Sequence, residues 1–459
     1  MMNTTIGPPG EPGADRSPAA GASARSAYVH RLLASEISAF TAYYDRLIQA
    51  FPLPHDSGAL FDCIRAPEKV RLSASEELPD LSSERGSRTA VLLNGTFNHD
   101  FDIQGLLQRL RPRLSRTSRL VAVTYNPYAR WAFRLANLLG LRRGEMPTVF
   151  LTRTDLRNLC ALARFEVVRI RAVAYLPWRL LGVGDLVNRL MPVLPGLRWL
   201  ALVNVVLIRP LVQEGERRPS LSVVVPARNE RGNIESAVHR MPELGTKLEL
   251  IFVEGHSTDG TWEEIQRVQE AHGSRFSIRA FQQAGTGKND AVRLGLSEAT
   301  GELVTVLDAD LTMPPELLGR FYEAYREGLA DFVNGTRLVY PMEGESMRLL
   351  NHLGNIFFAK ALSLVLGVRI GDSLCGTKLL ARHDYRRITA WRADFGDFDP
   401  FGDFELLFPA AILGLGVVDV PIRYRARTYG STSIRRFRDG ALLLRMTLLG
   451  LFRIALGRG

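Results

Sequence analysis

Two acidic residues one position apart, Asp308 and Asp310, are the part of the sequence best suited to chemistry. They follow residues 303–307, a nearly continuous apolar run that predicts a buried parallel strand covered on both faces. Open α/β sheets bind ligands at the carboxyl ends of their strands, so the pair would lie at a ligand-binding edge. Because two carboxylates this close repel each other, a divalent cation shared with substrate phosphates is their expected partner. A solvated Asp-rich turn is the alternative explanation of this run alone.

Similar polar clusters accompany the neighbouring predicted strands. Residues 221–226 and 248–253 are apolar runs typical of strands, and polar residues follow each of them. A third cluster leads into a helix that precedes the strand of Asp308. The clusters are Asn229-Glu230, Glu254 with Ser257-Thr-Asp259, and Lys288-Asn289. Since the carboxyl ends of parallel strands meet at one edge of a sheet, this repetition predicts a site more strongly than any one motif does.

Together these motifs resemble family 2 glycosyltransferases of the GT-A fold, over about residues 219–440. The resemblance implies an inverting transferase in which Asp308 and Asp310 hold Mg²⁺ or Mn²⁺ on the diphosphate of a UDP- or GDP-sugar. The nucleotide-sugar-binding residues that it implies are Pro226, Ala227, Asn229, Glu230, Glu254, Asp259, Lys288 and Asp308. The family usually has the sequence Asp-Asp-Gly-Ser where this chain has Glu254-Gly-His-Ser257. This departure leaves open which nucleobase the site binds.

Two later acidic turns, at residues 372–378 and 402–405, resemble the acceptor-side motifs of the same family. The resemblance implies that Asp372 contributes to acceptor binding and that Asp403 is catalytic together with Asp310. An acceptor hydroxyl needs a general base, for which Asp403 is the candidate, whereas an ionised lipid phosphate needs none. Helix capping is the alternative role of these aspartates.

Residues 423–438 carry six arginines together with Gly430 and several hydroxyl groups. Guanidinium forks suit phosphate oxygens, and a Gly-Ser-Thr loop could close over a diphosphate. This tract resembles dolichyl-phosphate mannose synthase-like members, which implies a polyprenyl-phosphate or other lipid-linked acceptor from the cell envelope. The phosphate-binding residues implied are Arg427, Ser431, Arg435 and Arg436. An exposed basic face is the alternative.

Two apolar segments, residues 349–368 and 441–456, predict contact with a lipid surface. Lys360, Arg445 and Arg453 interrupt them, so neither is expected to span a membrane. A helix with leucines on one side and basic residues on the other lies well at a lipid interface. We therefore expect peripheral contact with the inner face of the cell membrane, with packing against the domain core as the alternative.

The first part of the chain, residues 25–210, alternates helices and strands and predicts a Rossmann-like layer. Strands are expected at 89–94 and 118–124 and a helix at 102–114, while the apolar spacing within 26–53 is helical. Residues 91–125 resemble the second half of a class I SAM-dependent methyltransferase. Such enzymes need a Gly-rich turn after the first strand, which this chain lacks. We predict a truncated, inactive methyltransferase-type domain before the GT-A fold, giving an α/β protein.

Composition sets the remaining limits. The 459 residues carry a net charge of +10 and 46% hydrophobic residues, which fits a folded protein of two or three domains with an anionic partner. Three widely spaced cysteines predict no disulfide framework and a reducing cytoplasm. Residues 1–24 are expected to be a disordered leader, 211–219 a linker, 220–440 the transferase domain and 441–459 an amphipathic helix.

Two other functions compete with this interpretation. A SAM-dependent methyltransferase with an appended transferase module is opposed by the missing Gly-rich turn. A basic protein that binds nucleic acid is opposed by the absence of interleaved aromatic and basic residues, so no nucleic acid partner is expected.

Overall fold

The computed structural model describes residues 24–140, 146–194, 196–340, 349–399, 402–427, 429 and 436–456. Two mixed β-sheets organise them. The strands of the first sheet end at Pro210 and those of the second begin at Leu221, so the predicted linker, residues 211–219, lies between the sheets in sequence. The assignment of the two units as domains of particular families stays a prediction at this point.

The first sheet has six strands in the order β2-β1-β3-β4-β6-β5, in which only β6 is antiparallel to its neighbours. Its strands are β1 (Arg46–Gln49), β2 (Glu68–Arg71), β3 (Thr89–Asn94), β4 (Arg119–Tyr125), β5 (Phe165–Val173) and β6 (Val203–Pro210). Its helices are α1 (Ala24–Thr41), α2 (Ala59–Cys63), α3 (Ile103–Leu110), α4 (Arg130–Leu138), α5 (Arg153–Leu162) and α6 (Val183–Leu190). Short 3₁₀ segments lie at Thr96–Asn98, Arg111–Arg113, Pro127–Ala129, Leu180–Gly182 and Arg198–Leu200.

The helical interpretation of residues 26–53 is wrong in its second half. Helix α1 ends at Thr41, and Leu47 and Ile48 lie in β1, fully buried, where they pair with β2 and β3. A four-residue strand is too short to show a period of its own, and its pairing with two neighbouring strands overrides the local helical spacing.

The second sheet has seven strands in the order β13-β11-β12-β10-β7-β8-β9, and only β12 is antiparallel to its neighbours. Its strands are β7 (Leu221–Ala227), β8 (Leu248–Glu254), β9 (Ser277–Gln282), β10 (Leu303–Val306), β11 (Phe332–Thr336), β12 (Lys378–Ala381) and β13 (Val417–Pro421). The helices are α7 (Arg231–His239), α8 (Thr261–His272), α9 (Lys288–Glu298), α10 (Leu318–Arg326), α11 (Leu349–Leu366), α12 (Arg382–Phe395), α13 (Phe404–Ile412) and α14 (Arg436–Gly450). A 3₁₀ segment at Pro315–Leu317 and a π-helical turn at Leu451–Ala455 complete the elements.

This second sheet is buried on both faces, as the apolar run before Asp308 predicts. All four residues of β10 are buried, with Val304 and Val306 in one apolar cluster and Leu303 in the cluster on the opposite face. Helices therefore cover both sides, and the side chains free to meet a ligand are those at the strand ends. The predicted α/β class is confirmed.

Helices α11 and α14 pack against each other, and each presents one face to the core and another outward. Leu362 and Leu443 are buried in the same apolar cluster, whereas Phe357, Leu448 and Phe452 are exposed. Packing against the core, left open as an alternative by the sequence, is thus realised by one face of each helix. Within the described residues no helix is both long and apolar enough to cross a membrane.

Buried ion pairs join the two sheets. Asp331, at the start of β11, accepts a hydrogen bond from Arg119 of β4, and the guanidinium groups of Arg116 and Arg209 lie 3.6 and 3.7 Å from its other oxygen. Arg88 forms a bidentate pair with Asp384 at 2.6 and 2.8 Å. Because Arg119 and Arg88 are completely buried, their charges depend on these carboxylates from the second sheet unit.

Candidate active site

The turn after β10 holds Asp308 and Asp310 in different surroundings. The backbone N–H and hydroxyl of Thr312 donate to Asp310 Oδ1 at 3.1 and 2.7 Å, which fixes that carboxylate from below. Asp308 Oδ1 pairs with the Lys288 ammonium at 2.6 Å. Both carboxylates are half-buried at the carboxyl edge of the sheet. The expected placement of the pair at the end of a buried strand is confirmed by the structure.

Three loops at this edge hold a non-glycine residue in the left-handed region of the backbone map. They are Asn229 after β7, His256 after β8 and Leu311 after β10, with φ values of 55°, 57° and 52°. Such conformations are uncommon outside glycine, and least expected for a bulky residue such as leucine. Their recurrence at three adjacent strand ends marks this edge as a place where the fold stores strain, a property frequent at functional sites.

The loops after β7 and β8 are tied to each other by side-chain hydrogen bonds. The side-chain oxygen of Asn229 accepts a hydrogen bond from the backbone N–H of Thr258 at 2.9 Å. The backbone N–H of Asn229 donates to the Ser257 hydroxyl, also at 2.9 Å. Asp259 accepts from the N–H of Arg231 at 3.2 Å and from that of Thr261 at 3.1 Å. These hydrogen bonds hold the two loops together as one surface, at the position where the sequence predicts contacts with a nucleotide.

The carboxylates of Glu254 and Asp259 accept hydrogen bonds that stabilise these two loops. Glu254, at the end of β8, is buried and accepts a hydrogen bond from the Ser257 N–H. Pro226 and Ala227 form the end of β7 beside it, with Pro226 partly exposed. The predicted nucleotide residues after β7 and β8 are therefore brought together, with Asn229 the exposed member.

Glu230 is the N-cap residue of α7 and faces the Asp310 side of the site. Burial raises its pKa, a hydrogen bond from the Asn233 amide at 2.7 Å and the charge of Arg427 oppose that rise, and the net pKa of Glu230 is above its usual value. Arg427 lies between two acidic groups, with Nη1 3.4 Å from Glu230 and Nη2 2.6 Å from Asp310. The Arg427 guanidinium therefore bridges the loops that follow β7 and β10.

A second cationic group, Lys288, neutralises Asp308 from the other side. Burial alone would raise the pKa of Asp308, but Lys288 at 2.6 Å, with Lys378 and Arg337 farther off, outweighs it and lowers this pKa. Lys288 is the first residue of α9, as the Lys288-Asn289 cluster predicts. The site thus alternates carboxylates and cations, an arrangement suited to a ligand that carries both phosphate groups and a bound metal.

Asp403 lies beside Lys378, the first residue of β12. It is 8% exposed, precedes α13, and accepts a 2.6 Å hydrogen bond from the fully buried Lys378. Lys378 also donates to the carbonyl oxygen of Cys375, so its ammonium is held on two sides. The carboxyl group that caps α13 is that of Asp399, which accepts from the Phe404 and Glu405 N–H groups at 2.7 and 3.0 Å. Asp403 is consequently left available for another role than capping.

The structure corrects the expected position of Asp372. Its carboxylate is completely buried and forms a bidentate pair with Arg337 at 2.7 and 2.9 Å, while the N–H groups of Arg337 and Leu374 also donate to it. All its acceptor positions are used inside the protein, so direct contact with an acceptor is not supported. Asp372 instead fixes the loop before β12 and the guanidinium of Arg337.

The predicted phosphate-binding residues are Arg427, Ser431, Arg435 and Arg436. Ser431 and Arg435 lie outside the described residues, and Arg436 is described only as the first residue of α14. Arg427, the remaining member of that group, contacts Glu230 and Asp310.

Three residues of this site escaped the sequence interpretation. Arg337 directly follows β11, so extending the search for polar residues at strand ends would have found it. Lys378 was inside a recognised acidic turn, but nothing in that turn indicates that its ammonium reaches Asp403. Gly376 has no side chain, and only the packing around its Cα shows why a glycine is needed there.

Replacing Gly376 by alanine is expected to lower turnover at least about tenfold, with little change in melting temperature. A Cβ built on Gly376 would lie 2.5 Å from Asp308 Oδ2 and 2.7 Å from Lys288 Nζ, so the methyl group must displace this ion pair. Steady-state turnover and thermal unfolding of the variant measure the two quantities. Gly354→Ala is the matched control, because a Cβ there meets open space. Wild-type turnover in Gly376→Ala would contradict the placement of this pair in the site.

Comparison with known proteins agrees with this geometry. Residues 222–389 match the family described as glycosyl transferase family 2. This part of the chain is similar to family 2 glycosyltransferases, and the predicted enzyme class, a glycosyltransferase, is confirmed for it. The mixed sheet and the family match together support the α/β GT-A fold.

Similar curated proteins share one kind of name. A dolichol-phosphate mannosyltransferase of Pyrococcus furiosus is 28% identical over 47% of this chain and 59% of its own length. A dolichyl-phosphate hexose transferase of Haloferax volcanii is 29% identical over 49% of this chain and 90% of its own. An undecaprenyl-phosphate 4-deoxy-4-formamido-L-arabinose transferase of Klebsiella pneumoniae is 27% identical over 36% and 49%. The match thus spans little more than half of the Pyrococcus protein and half of the Klebsiella protein.

Among solved structures, the glucosyl-3-phosphoglycerate synthase of Mycobacterium tuberculosis, crystallised with Mn²⁺, UDP and glucosyl-3-phosphoglycerate, is 20% identical. The superposition covers 54% of this chain and 86% of the synthase chain, with a TM-score of 0.38.

Proposed function

We propose that this protein transfers a sugar from a UDP- or GDP-sugar to a lipid phosphate, inverting the anomeric centre. The observation that carries the proposal is the alternation of Asp308, Asp310 and Glu230 with Lys288 and Arg427 at one sheet edge. Such an edge can hold a nucleoside diphosphate at one end and a second anionic group at the other. The names of the relatives, which act on dolichyl or undecaprenyl phosphate, support a polyprenyl-phosphate acceptor.

The residues present fit a divalent cation. Asp308 and Asp310 offer hard carboxylate oxygens, the donors that Mg²⁺ and Mn²⁺ prefer. A positive group already lies against each carboxylate in this structure, Lys288 on the first and Arg427 on the second. We propose that these two aspartates hold Mg²⁺ or Mn²⁺, which when bound would offset the charge gained by the leaving diphosphate.

The rest of the chemistry follows from the side chains. A phosphate oxygen of the acceptor forms the new bond to the anomeric carbon while the bond to the diphosphate breaks, and the bonding electrons leave with the nucleoside diphosphate. Lys288 and Arg427 are placed to stabilise negative charge near the leaving group. An ionised phosphate needs no base; if the acceptor is a hydroxyl, Asp403 takes its proton.

We further propose that the first sheet does not bind SAM. The carboxylate of Asp56 accepts from Gln49 at the end of β1 at 2.6 Å and from Asn94 at the end of β3 at 2.9 Å. The chain's own side chains thus occupy the edge where a methyltransferase cofactor would need open backbone. The methyltransferase-like origin of this unit stays a prediction, as does the location at the inner membrane face.

A screen of nucleotide-sugars with purified protein tests the proposal. UDP- and GDP-sugars are incubated with Mg²⁺, Mn²⁺ or a chelator, with polyprenyl phosphate added or withheld. We expect release of nucleoside diphosphate that depends on both the metal and the lipid phosphate. Binding of SAM without binding of any nucleotide-sugar would contradict the proposal and favour the methyltransferase.

A further inference from the structure

An exposed apolar surface on the first sheet unit is unlike the rest of the molecule. Of the twenty-five large apolar side chains that are exposed among the described residues, fifteen lie within residues 128–200. Three of the five tryptophans are among them: Trp131 is 69% exposed, Trp178 42% and Trp199 54%. Isolated exposed apolar residues are ordinary, but such a concentration marks an interaction site.

The helices of this surface turn their apolar faces outward. In α4, Trp131, Leu135 and Leu138 follow one another at helical spacing and are exposed, while Phe133 is the buried residue. In α6, Leu186 and Leu190 are exposed, one turn apart. A helix on a water-covered surface normally shows the opposite pattern, with its apolar stripe toward the core.

Specific contacts hold these elements next to one another. The Asn126 side-chain amide donates to the carbonyl oxygens of Trp199 and Ala201 at 3.0 and 2.7 Å, which fixes the 3₁₀ segment Arg198–Leu200 beside the segment that leads into α4. Arg198 Nε donates to the carbonyl oxygen of Pro192, just beyond α6, at 3.1 Å. The apolar side chains therefore form one surface, which we call the tryptophan face: α4, α6 and Arg198–Leu200.

The charges beside the tryptophan face are almost all positive. Residues 126–140 and 176–200 contain five arginines and one acidic residue. That residue, Asp185, is engaged by the Tyr28 hydroxyl at 2.7 Å and by Arg179 at 3.2 Å. Arg130, Arg134 and Arg189 are exposed at the surface, so a partner meets apolar side chains flanked by net positive charge.

We propose that the tryptophan face docks this protein on a bilayer that contains anionic lipid, so that the first sheet unit is a membrane-binding module. Tryptophan is enriched at lipid–water interfaces, leucine side chains enter the acyl region, and arginines reach back to anionic head groups. A second copy of the chain fits less well, because an isologous contact would bring two sets of five arginines together.

The face also continues toward the exposed sides of α11 and α14. Arg198 Nη2 donates to the carbonyl oxygen of Leu364 in α11 at 3.1 Å, so the two sheet units meet at the edge of the tryptophan face. Phe357 of α11 and Phe452 after α14 are each 60% exposed. This inference concerns binding alone and does not depend on the proposed sugar transfer.

Co-sedimentation of the full chain with vesicles tests the inference. Phosphatidylcholine vesicles, alone or with about one third phosphatidylglycerol, are compared at low and high salt. We expect binding that requires the anionic lipid, weakens with salt and shifts tryptophan emission to shorter wavelength. The triple variant Trp131→Ser, Leu186→Ser, Trp199→Ser should lower the partition coefficient about 100-fold.

A matched triple variant provides the control. Phe101→Ser, Leu162→Ser and Leu329→Ser alter exposed apolar residues outside the tryptophan face, at 84%, 63% and 52% exposure, with Leu162 at the end of α5, and this variant should bind vesicles as the wild type does. All six side chains are exposed, so both variants should keep the wild-type melting temperature. Equal vesicle binding by both triple variants would overturn the inference. So would a wild-type dimer, seen by light scattering, that the first triple variant dissolves while vesicles recruit neither protein.

Discussion

Replacing Asp310 by asparagine should reduce glycosyl transfer by about 10³-fold while leaving the fold intact. The substitution keeps the size of the side chain and retains an oxygen that can accept from Thr312. It removes the charge that faces Arg427 at 2.6 Å and one of the two proposed metal-binding carboxylates. Initial rates with a nucleotide-sugar and polyprenyl phosphate measure the effect, and the dependence of rate on Mn²⁺ concentration provides a second readout.

A matched control separates this effect from a general loss of acidity. Asp397 is a surface aspartate that also pairs with an arginine, Arg293, at 2.5 Å, and its side chain is 76% exposed. Asp397→Asn should transfer sugar at close to the wild-type rate with an unchanged metal dependence. Unchanged turnover in Asp310→Asn would refute the assignment of the Asp308–Asp310 pair as a metal site.

Replacing Asp331 by alanine should lower the free energy of unfolding by about 3–5 kcal/mol. Asp331 is 2% exposed and is the carboxylate that faces Arg116, Arg119 and Arg209 from the other sheet. Without it, the buried guanidinium of Arg119 loses its carboxylate partner, while Arg209 keeps Glu166 at 2.6 Å and Arg116 keeps Glu214 at 3.5 Å. Urea unfolding, followed by circular dichroism, measures the loss.

Glu316→Ala is the corresponding control at an exposed ion pair. Its partner Arg240 lies 2.8 Å away, but the glutamate side chain is 52% exposed, so its removal should cost less than about 1 kcal/mol. Equal losses from the two substitutions would show that the buried cluster contributes nothing special to stability.

The same carboxylate predicts an acid-sensitive interface. Burial would raise the pKa of Asp331, but the surrounding arginines, led by Arg119, hold it far below its usual range. A depressed pKa in the folded state gives stability that is fully present above the unfolded value, about 4, and lost as the pH falls below it. As the pH falls below about 4, the free energy of unfolding of Asp331→Ala should therefore decrease less than that of the wild type.

The sequence predicts the central parallel strands well because their burial leaves a simple pattern. Strands β7, β8 and β10 are apolar throughout and end in polar clusters, so their position and the convergence of Asn229, Glu254 and Asp308 could be inferred without coordinates. Because these strands run in the same direction, the residues that follow them meet at one edge of the sheet.

The remainder of the site depends on contacts that no local pattern encodes. Arg337 and Asp372 are 35 positions apart, and Lys378 and Asp403 are 25 apart, so neither pairing follows from spacing. The short strands β1 and β12, with four residues each, show no period long enough to recognise. In both cases tertiary packing selects the structure, and sequence alone supplies only the residue types.

The reversed direction of β12 limits which insertions the transferase unit can accept. A parallel strand meets the ligand edge only where it ends, but β12 meets it where it begins, at Lys378. The loop ahead of this strand therefore has a fixed length, since Gly376 must reach Asp308 while Asp372 reaches Arg337. The chain beyond Ala381 leaves on the opposite side, where Asp384 meets Arg88 of the first sheet. A longer loop at residues 372–377 would therefore break these two contacts, and a longer connection after β12 would separate the two sheets.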